Sequence, residues 1–379
     1  MIYLDNAATS RFKPQGVFDA LNYDITHSAN SGRSGHDDAI SASIKIENCR
    51  SYLLSTLNAD NDFNLVFTKN CTEALNLAIF GFGLDGKRVV TTANEHNSVL
   101  RPLFEMERQG KISLHIIGQQ DDGKISIDDI AQAFKTADFA VLNAVSNVTG
   151  AKLDIDAVGN LAKKNNVTLL ADGSQAIPLT KIDMQKQNIN MLACPGHKGL
   201  HGVTGTGFLI FKKDIKLKPL LFGGTGTASL SPYQPTDAPE AYEAGTMFSG
   251  GISALLEGAK WSFENVEKSR KITKSLCNAT AYYLSNIGAT IYASDTSSGV
   301  LSFNLNDVDS SFVAEKLNEY GIAVRSGLHC APLVHKFLGT EKQGAVRVSI
   351  GVDNTEKDIF NFAVATEKIA KQLSTKRTF

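Results

Sequence analysis

What most narrows the fold of this chain is an alternation that runs from residue 65 to residue 211. Short apolar runs at 65–68, 88–92, 113–117, 139–143, 168–171, 189–193 and 207–211 read as strands, and segments of helical period at 72–80, 98–108, 127–134 and 155–164 lie among them. Strands joined through helices and covered on both faces predict an α/β fold with a mostly parallel, seven-stranded sheet. Upstream, a helical pattern follows the polar, turn-rich stretch 27–38 and runs to about Leu57, with Ile40, Ile44, Ile46 and Leu53 as apolar positions.

Beyond the alternation the pattern changes. Residues 301–305, 322–325 and 346–350 read as strands, and 312–319 and 358–372 as helices, which marks a second, smaller α+β unit. A helix around Trp261 and Phe263 connects the two parts, and the Gly-, Ser-, Thr- and Pro-rich segment 223–239 is a long irregular connection. With 379 residues and 42% hydrophobic content, the chain can bury one large core and one smaller one. A net charge of −1 leaves no electrostatic footprint for nucleic acid or an anionic membrane. The expected partners are small molecules or proteins. No apolar run reaches transmembrane length and the first residues carry no basic region before an apolar core, so a cytoplasmic location is expected. Five scattered cysteines without a Cys-x-x-Cys pair indicate neither a disulfide framework nor a zinc site.

Ligands of open α/β sheets sit beyond the carboxyl ends of the strands, so the residues that follow each run carry the chemistry. After 65–68 comes Lys69-Asn70-Cys71-Thr72-Glu73, where Asn70 or Thr72 can cap a helix whose free N–H groups suit an anion. After 88–92 come Glu95 and His96, and after 139–143 come Ser146 and Asn147. Asp172 and Gln175 follow 168–171, an acid and an amide able to fix a heterocyclic nitrogen and a neighbouring oxygen. Lys198 stands between an apolar run and the glycines Gly196, Gly199, Gly202, Gly205 and Gly207. It is either a loop lysine beside turn glycines or an amine kept partly desolvated to form a Schiff base with a carbonyl or with pyridoxal phosphate. Singly, each motif is equally an ordinary cap or structural hydrogen-bonder. Five polar strand ends, the last of them carrying the lysine, form a constellation.

That constellation resembles the class V aminotransferase fold of pyridoxal phosphate enzymes, and within it the cysteine desulfurase and selenocysteine lyase family. The resemblance spans essentially the whole chain. It is carried by Tyr3-Leu4-Asp5-Asn6-Ala7-Ala8-Thr9, by Asn30-Ser31-Gly32-Arg33-Ser34-Gly35-His36, and by the strand-end motifs above. It continues through Gly196-His197-Lys198, Glu243-Ala244-Gly245-Thr246 and Arg325-Ser326-Gly327-Leu328-His329-Cys330-Ala331-Pro332. It implies a fold type I transferase, with a large pyridoxal phosphate domain at 14–255 and a small domain formed by 1–13 with 256–379. Lys198 then matches the Schiff-base lysine and Asp172 the partner of the pyridine nitrogen. Gln175 and Asn147 match residues that contact the ring hydroxyl or the substrate, and His96 matches the residue that stacks on the ring. Thr72, the amides near Cys71 and His197 match the phosphate ligands. Thr246 matches a residue that reaches the phosphate of a neighbouring subunit, which implies a homodimer. Two departures stand out: Pro195 occupies a position where the family often has a phosphate-binding serine, leaving Thr204 or Thr206 as substitutes, and Ala241-Tyr242 precede Glu243 where relatives tend to carry a basic residue.

Cys330 decides the activity that the resemblance implies. By itself it is either a small buried hydrophobe or a nucleophile, and Arg325 and His329 nearby favour the thiolate. In the family this cysteine takes sulfur from L-cysteine as a persulfide and alanine is released. Only sixteen residues, 331–346, separate Cys330 from Arg347, a spacing similar to the group II desulfurases, whose short loops usually call for a persulfide-acceptor protein. Arg347 matches the clamp for the substrate carboxylate, with Arg325 beside it, although Val346, Val348 and Ile350 would equally set a surface arginine on the opposite face of a strand. The same apparatus without sulfur chemistry at Cys330 would serve a selenocysteine lyase or an aminotransferase. A non-catalytic sulfur-carrier scaffold would need none of Lys198, Asp172, His96, Cys330 and Arg347. Cys71 and Cys194 read as structural thiols.

Overall fold

The computed structural model describes residues 1–376 apart from 28, 33–34, 121, 228 and 294, so Arg33 and Ser34 of the second motif lie outside the described residues. The chain opens with a two-residue strand, Ile2–Tyr3 (β1), and the helices Gln15–Thr26 (α1) and Asp37–Thr56 (α2). The alternating region supplies strands Phe63–Thr68 (β2), Lys87–Thr92 (β3), Ile112–Ile117 (β4), Phe139–Asn143 (β5), Thr168–Asp172 (β6), Met191–Pro195 (β7) and Gly207–Lys212 (β8). Helices Cys71–Gly81 (α3), Asn97–Arg108 (α4), Ile127–Phe134 (α5) and Ile155–Asn165 (α6) lie between them. Then follow Ser249–Glu264 (α7), Val266–Asn286 (α8), Thr290–Tyr292 (β9), Val300–Asn304 (β10), Ser310–Glu319 (α9), Ile322–Ala323 (β11), Pro332–Leu338 (α10), Val346–Ser349 (β12) and Glu356–Lys376 (α11).

The seven predicted strands form one sheet in the order β2-β8-β7-β6-β5-β3-β4, and β8 alone runs against its neighbours. Helices cover both faces. Val141 of β5 packs in a cluster with Leu75 of α3 and Leu103 of α4, while its neighbour Leu142 packs on the other side with Leu53 of α2, Val158 of α6 and Leu255 of α7. This two-sided burial is why the strands read as continuous apolar runs. From β3 the chain moves outward to β4 and then back past β3 to β5, so a topological switch point lies between β3 and β5, where a crevice opens beyond the carboxyl ends.

A separate apolar cluster joins Phe303, Val346 and Val348 to Leu276, Leu317 and Phe362, and Leu4 from the N-terminus belongs to it. The N-terminal segment also connects that cluster to the large sheet. β1 pairs with β11, Asp5 bridges to Ser349, and the Ser10 N–H donates to the His197 carbonyl at 3.1 Å. The helix α1 lacks an apolar stripe, with only Val17 buried, which is why periodicity does not announce it. α10 takes up seven residues of the short interval between Cys330 and Arg347. Among the described residues no helix is long and apolar enough to cross a membrane.

Candidate active site

A cleft of about 550 Å³ lies over the carboxyl ends of β3, β5, β6 and β7 and is lined by Cys71, His96, Asn147, Asp172, His197 and Lys198, among others. The strand-end motifs therefore converge, as their positions require. Lys198 follows the β7 turn at the floor of the cleft. Burial lowers the pKa of its amine below the ordinary lysine value, and Arg347 and Arg325 push in the same direction against Asp172. Behind it, a second cavity of about 640 Å³ separates the large sheet from the C-terminal part, with Ser10, Gln175, Thr273 and Ser349 in its wall.

Asp172 ends β6 and is 4% exposed. Its Oδ1 accepts the Ser174 N–H at 2.9 Å and lies 3.8 Å from the Cys71 sulfur. At the head of α3, Asn70 accepts the Glu73 N–H at 2.9 Å and Glu73 accepts the Lys69 N–H at 2.7 Å. This reciprocal cap leaves the N–H groups of Cys71 and Thr72 at the cleft. Beside them, Nδ1 of His197 is buried without a hydrogen-bond partner. The His197 carbonyl is taken up by Ser10, Thr9 and Lys13, and burial holds the imidazole pKa down at about 4.

His96 caps α4. Its Nδ1 accepts the Ser98 N–H at 3.1 Å, which leaves the proton of the neutral ring on Nε2. Burial lowers its pKa to about 4, so the ring is neutral at pH 7. Below it, Glu95 is fully buried, with Oε1 accepting from Thr92 Oγ1 at 2.7 Å and from the Asn143 N–H at 3.0 Å, and Oε2 unpartnered. Desolvation raises its pKa to about 8, against the pull of those two hydrogen bonds. The folded protein therefore binds this proton more tightly than the unfolded chain. Between about pH 4.5 and 8 the unfolded state holds fewer protons, and stability falls as pH rises through that window. Glu95→Gln keeps the acceptor and removes the titration. Denaturation of both proteins in urea at pH 5.5 and 8.5 is expected to show the variant gaining on the wild type as pH rises; a pH-independent difference would mean that Glu95 is ionised in the fold.

The loop carrying Cys330 comes from the C-terminal part. The thiol is exposed, and His329 and Cys330 both adopt left-handed backbone conformations, with φ of 49° and 57°. Such geometry persists in residues other than glycine only when the surroundings over-determine it. Here the Asn97 N–H donates to the Cys330 carbonyl at 2.6 Å, Asn147 Nδ2 donates to the His329 carbonyl at 2.8 Å, and His329 Nε2 donates to the Ala345 carbonyl at 3.0 Å. The structure corrects one expectation. His329 is buried and neutral, with a pKa driven down to about 2 by burial and by Arg347, so it supplies no positive charge to the neighbouring thiol. Arg347 is 1% exposed, donating to Asp5 Oδ1 at 2.8 Å and to the Asn147 carbonyl at 3.1 Å, with Nε unpartnered. It is not a surface arginine. Arg325 is joined to it by a backbone bridge.

A model of the aminotransferase class-V family matches residues 2–362. The chain belongs to the class-V aminotransferase family. Among its relatives, a probable cysteine desulfurase from Pyrococcus abyssi is 33% identical over 385 residues, covering 98% of this chain and 95% of that protein. The apo cysteine desulfurase of Thermococcus onnurineus NA1 superposes with a TM-score of 0.91 at 31% identity, covering 98% of this chain and 95% of that one. A cysteine desulfurase, CsdA (S-sulfonic acid), from Escherichia coli superposes with a TM-score of 0.88 at 26% identity, covering 98% and 94%.

Within this class-V fold, the expected substitutes for a serine at Pro195 do not reach the cleft. Pro195 itself lines it, but the Thr206 hydroxyl is turned to the Val203 carbonyl at 2.6 Å, and Thr204 is exposed on a turn outside the lining. Thr246 is also exposed and away from the cleft of its own chain. Gln175 reaches the cleft while donating to the Ala7 carbonyl at 2.9 Å. Glu243 carries no site chemistry: it forms a buried, two-pronged pair with Arg50, both contacts at 3.0 Å, that holds α2 against the segment before α7. Tyr242, where relatives tend to have a basic residue, bonds through its hydroxyl to Leu217. Sequence reading missed Asp5, Ser98 and Ser174 as site residues. Asp5 and Ser174 lie inside motifs already noted, but their partners are distant in sequence or set by turn geometry.

Proposed function

We propose that this protein is a pyridoxal phosphate-dependent cysteine desulfurase. The observation that carries the reading is the 2.6 Å hydrogen bond from the Asn97 N–H to the Cys330 carbonyl, which fastens the loop bearing an exposed thiol to the start of α4, next in sequence to His96 of the cleft that holds Lys198. The residues fit the cofactor. Asp172 suits a protonated ring nitrogen, the face of His96 suits the ring, and the α3 N-terminus, Thr72 and the unpartnered His197 Nδ1 suit a phosphate.

When bound, the cofactor supplies an electron sink that weakens the bond between Cβ and sulfur in the substrate. Arg347, with Arg325 beside it, orients the carboxylate of L-cysteine, and Asn147 positions the loop that faces it. Lys198, its amine kept easy to deprotonate by burial, takes the proton from Cα and later returns one to the carbon skeleton. His96 holds its proton at Nε2 and can pass it within the cleft. Cys330 attacks the substrate sulfur, so that the S–S bond forms as the Cβ–S bond breaks. One L-cysteine and one thiol become one alanine and one persulfide, and no outside oxidant is consumed. The exposure of Cys330 supports delivery of that sulfur to an acceptor protein, and the position of Thr246 supports a homodimer in which it serves the partner's cleft.

The test compares alanine and sulfide release from L-cysteine, with a reductant present, for the wild type and Cys330→Ala, together with the visible spectrum of each. Both proteins are expected to carry the cofactor absorbance, with sulfur release lost in the variant alone. A yellow protein whose release from cysteine is absent or indifferent to Cys330 would overturn the reading and direct the assay to selenocysteine or an amino-group acceptor.

A further inference from the structure

We infer that Cys71 is a positioning residue for Asp172: its S–H engages Oδ1 of the carboxylate, so that Oδ2 is the oxygen offered to the ring nitrogen of the cofactor. The inference rests on the reading of the cleft as a pyridoxal phosphate site. As the first residue of α3, Cys71 was expected to serve the phosphate through its backbone amide. Its side chain points elsewhere. The sulfur lies 3.8 Å from Asp172 Oδ1, within reach of a thiol donor, and accepts a hydrogen bond from Ser174 Oγ at 3.1 Å. Ser174 also donates its N–H to the same Oδ1 at 2.9 Å. The arrangement is a closed relay, from the Ser174 hydroxyl to the Cys71 sulfur and from the Cys71 S–H to Oδ1, with the Ser174 N–H completing it.

Direction along the relay is set by chemistry. Asp172 as a carboxylate only accepts, so the proton between sulfur and oxygen belongs to sulfur. Burial, and then Asp172 itself, raise the thiol pKa well above its ordinary value, so Cys71 remains a neutral donor across the working range. Among the described residues no hydrogen bond reaches Oδ2. A carboxylate rotates easily about its last torsion, and two donors on one oxygen suppress that rotation and leave the other oxygen facing the cleft. Alanine or valine at position 71 would fill part of the space and donate nothing.

The experiment titrates the apoprotein with pyridoxal phosphate and, in parallel, with 1-deazapyridoxal phosphate, in which carbon replaces the ring nitrogen, reading binding by absorbance and fluorescence. Cys71→Ala and the better-filling Cys71→Val are compared with the wild type, and thermal melting of each apoprotein verifies folding. Both variants are expected to bind pyridoxal phosphate about three- to tenfold more weakly, the scale of one weak hydrogen bond to a charged group, while affinity for the deaza analogue is unchanged. Equal losses for the two ligands, or no loss for either, would overturn the positioning role. Failure of the wild type to bind pyridoxal phosphate would instead overturn the functional reading.

Discussion

Lys198→Ala is expected to lose alanine formation from L-cysteine by about 10⁴-fold or more, because in the proposed reaction one amine serves both as covalent anchor for the cofactor and as general base. The structure separates this effect from damage to the fold. Lys198 is held where burial disfavours its charged form, with Arg347 and Arg325 adding to the penalty and Asp172 opposing it. Removing the amine relieves that conflict, so the apo variant should melt at or above the wild-type temperature. Quantifying alanine by chromatography and following melting by circular dichroism checks both halves. Turnover within tenfold of wild type would exclude Lys198 as the base, and a large drop in melting temperature would show that the amine is structural.

Asp5→Ala is expected to lower the stability of the apoprotein by about 3 kcal/mol, a shift of several degrees in melting temperature. The Arg347 side chain is only 2% exposed, and Asp5, at 21%, is the carboxylate paired with it. Without that partner the guanidinium keeps one carbonyl, from Asn147, and is left as an uncompensated buried charge. The change also loosens a tertiary seam, since the Asp5 segment bridges to β12 beside Arg347. Asp5→Asn retains an acceptor without the charge and should fall between. A loss below about 1 kcal/mol in Asp5→Ala would mean that Asn147 and the surrounding dipoles suffice. In the proposed reaction Arg347 must also meet the substrate carboxylate, so Asp5 and the substrate share one cation, and Asp5→Ala should tighten the apparent KM for L-cysteine in the protein that remains folded.

How much of this could be read from the chain varies with the range of the interaction. The seven strands were legible because two-sided burial imposes unbroken apolar runs, as at 139–143, and the head of α3 was legible because Asn70 caps it locally. The convergence of Lys198, Asp172, His96 and Asn147 followed from parallel topology, since each stands just past a strand end that the topology puts at one sheet edge. Helix α1 was not legible, for want of an apolar stripe.

The chain by itself thus determined most of the elements, their α/β arrangement and the set of strand-end residues that meet, because hydrophobic period and capping are local. Only the tertiary structure decided how those residues are held. That His329 is a buried neutral ring, that Arg347 is paired with Asp5, and that Cys71 bears on Asp172 are contacts between segments from 16 to 342 residues apart. Charge and protonation at those positions depend on burial and on partners brought in by folding, and neither leaves a period or a spacing in the sequence.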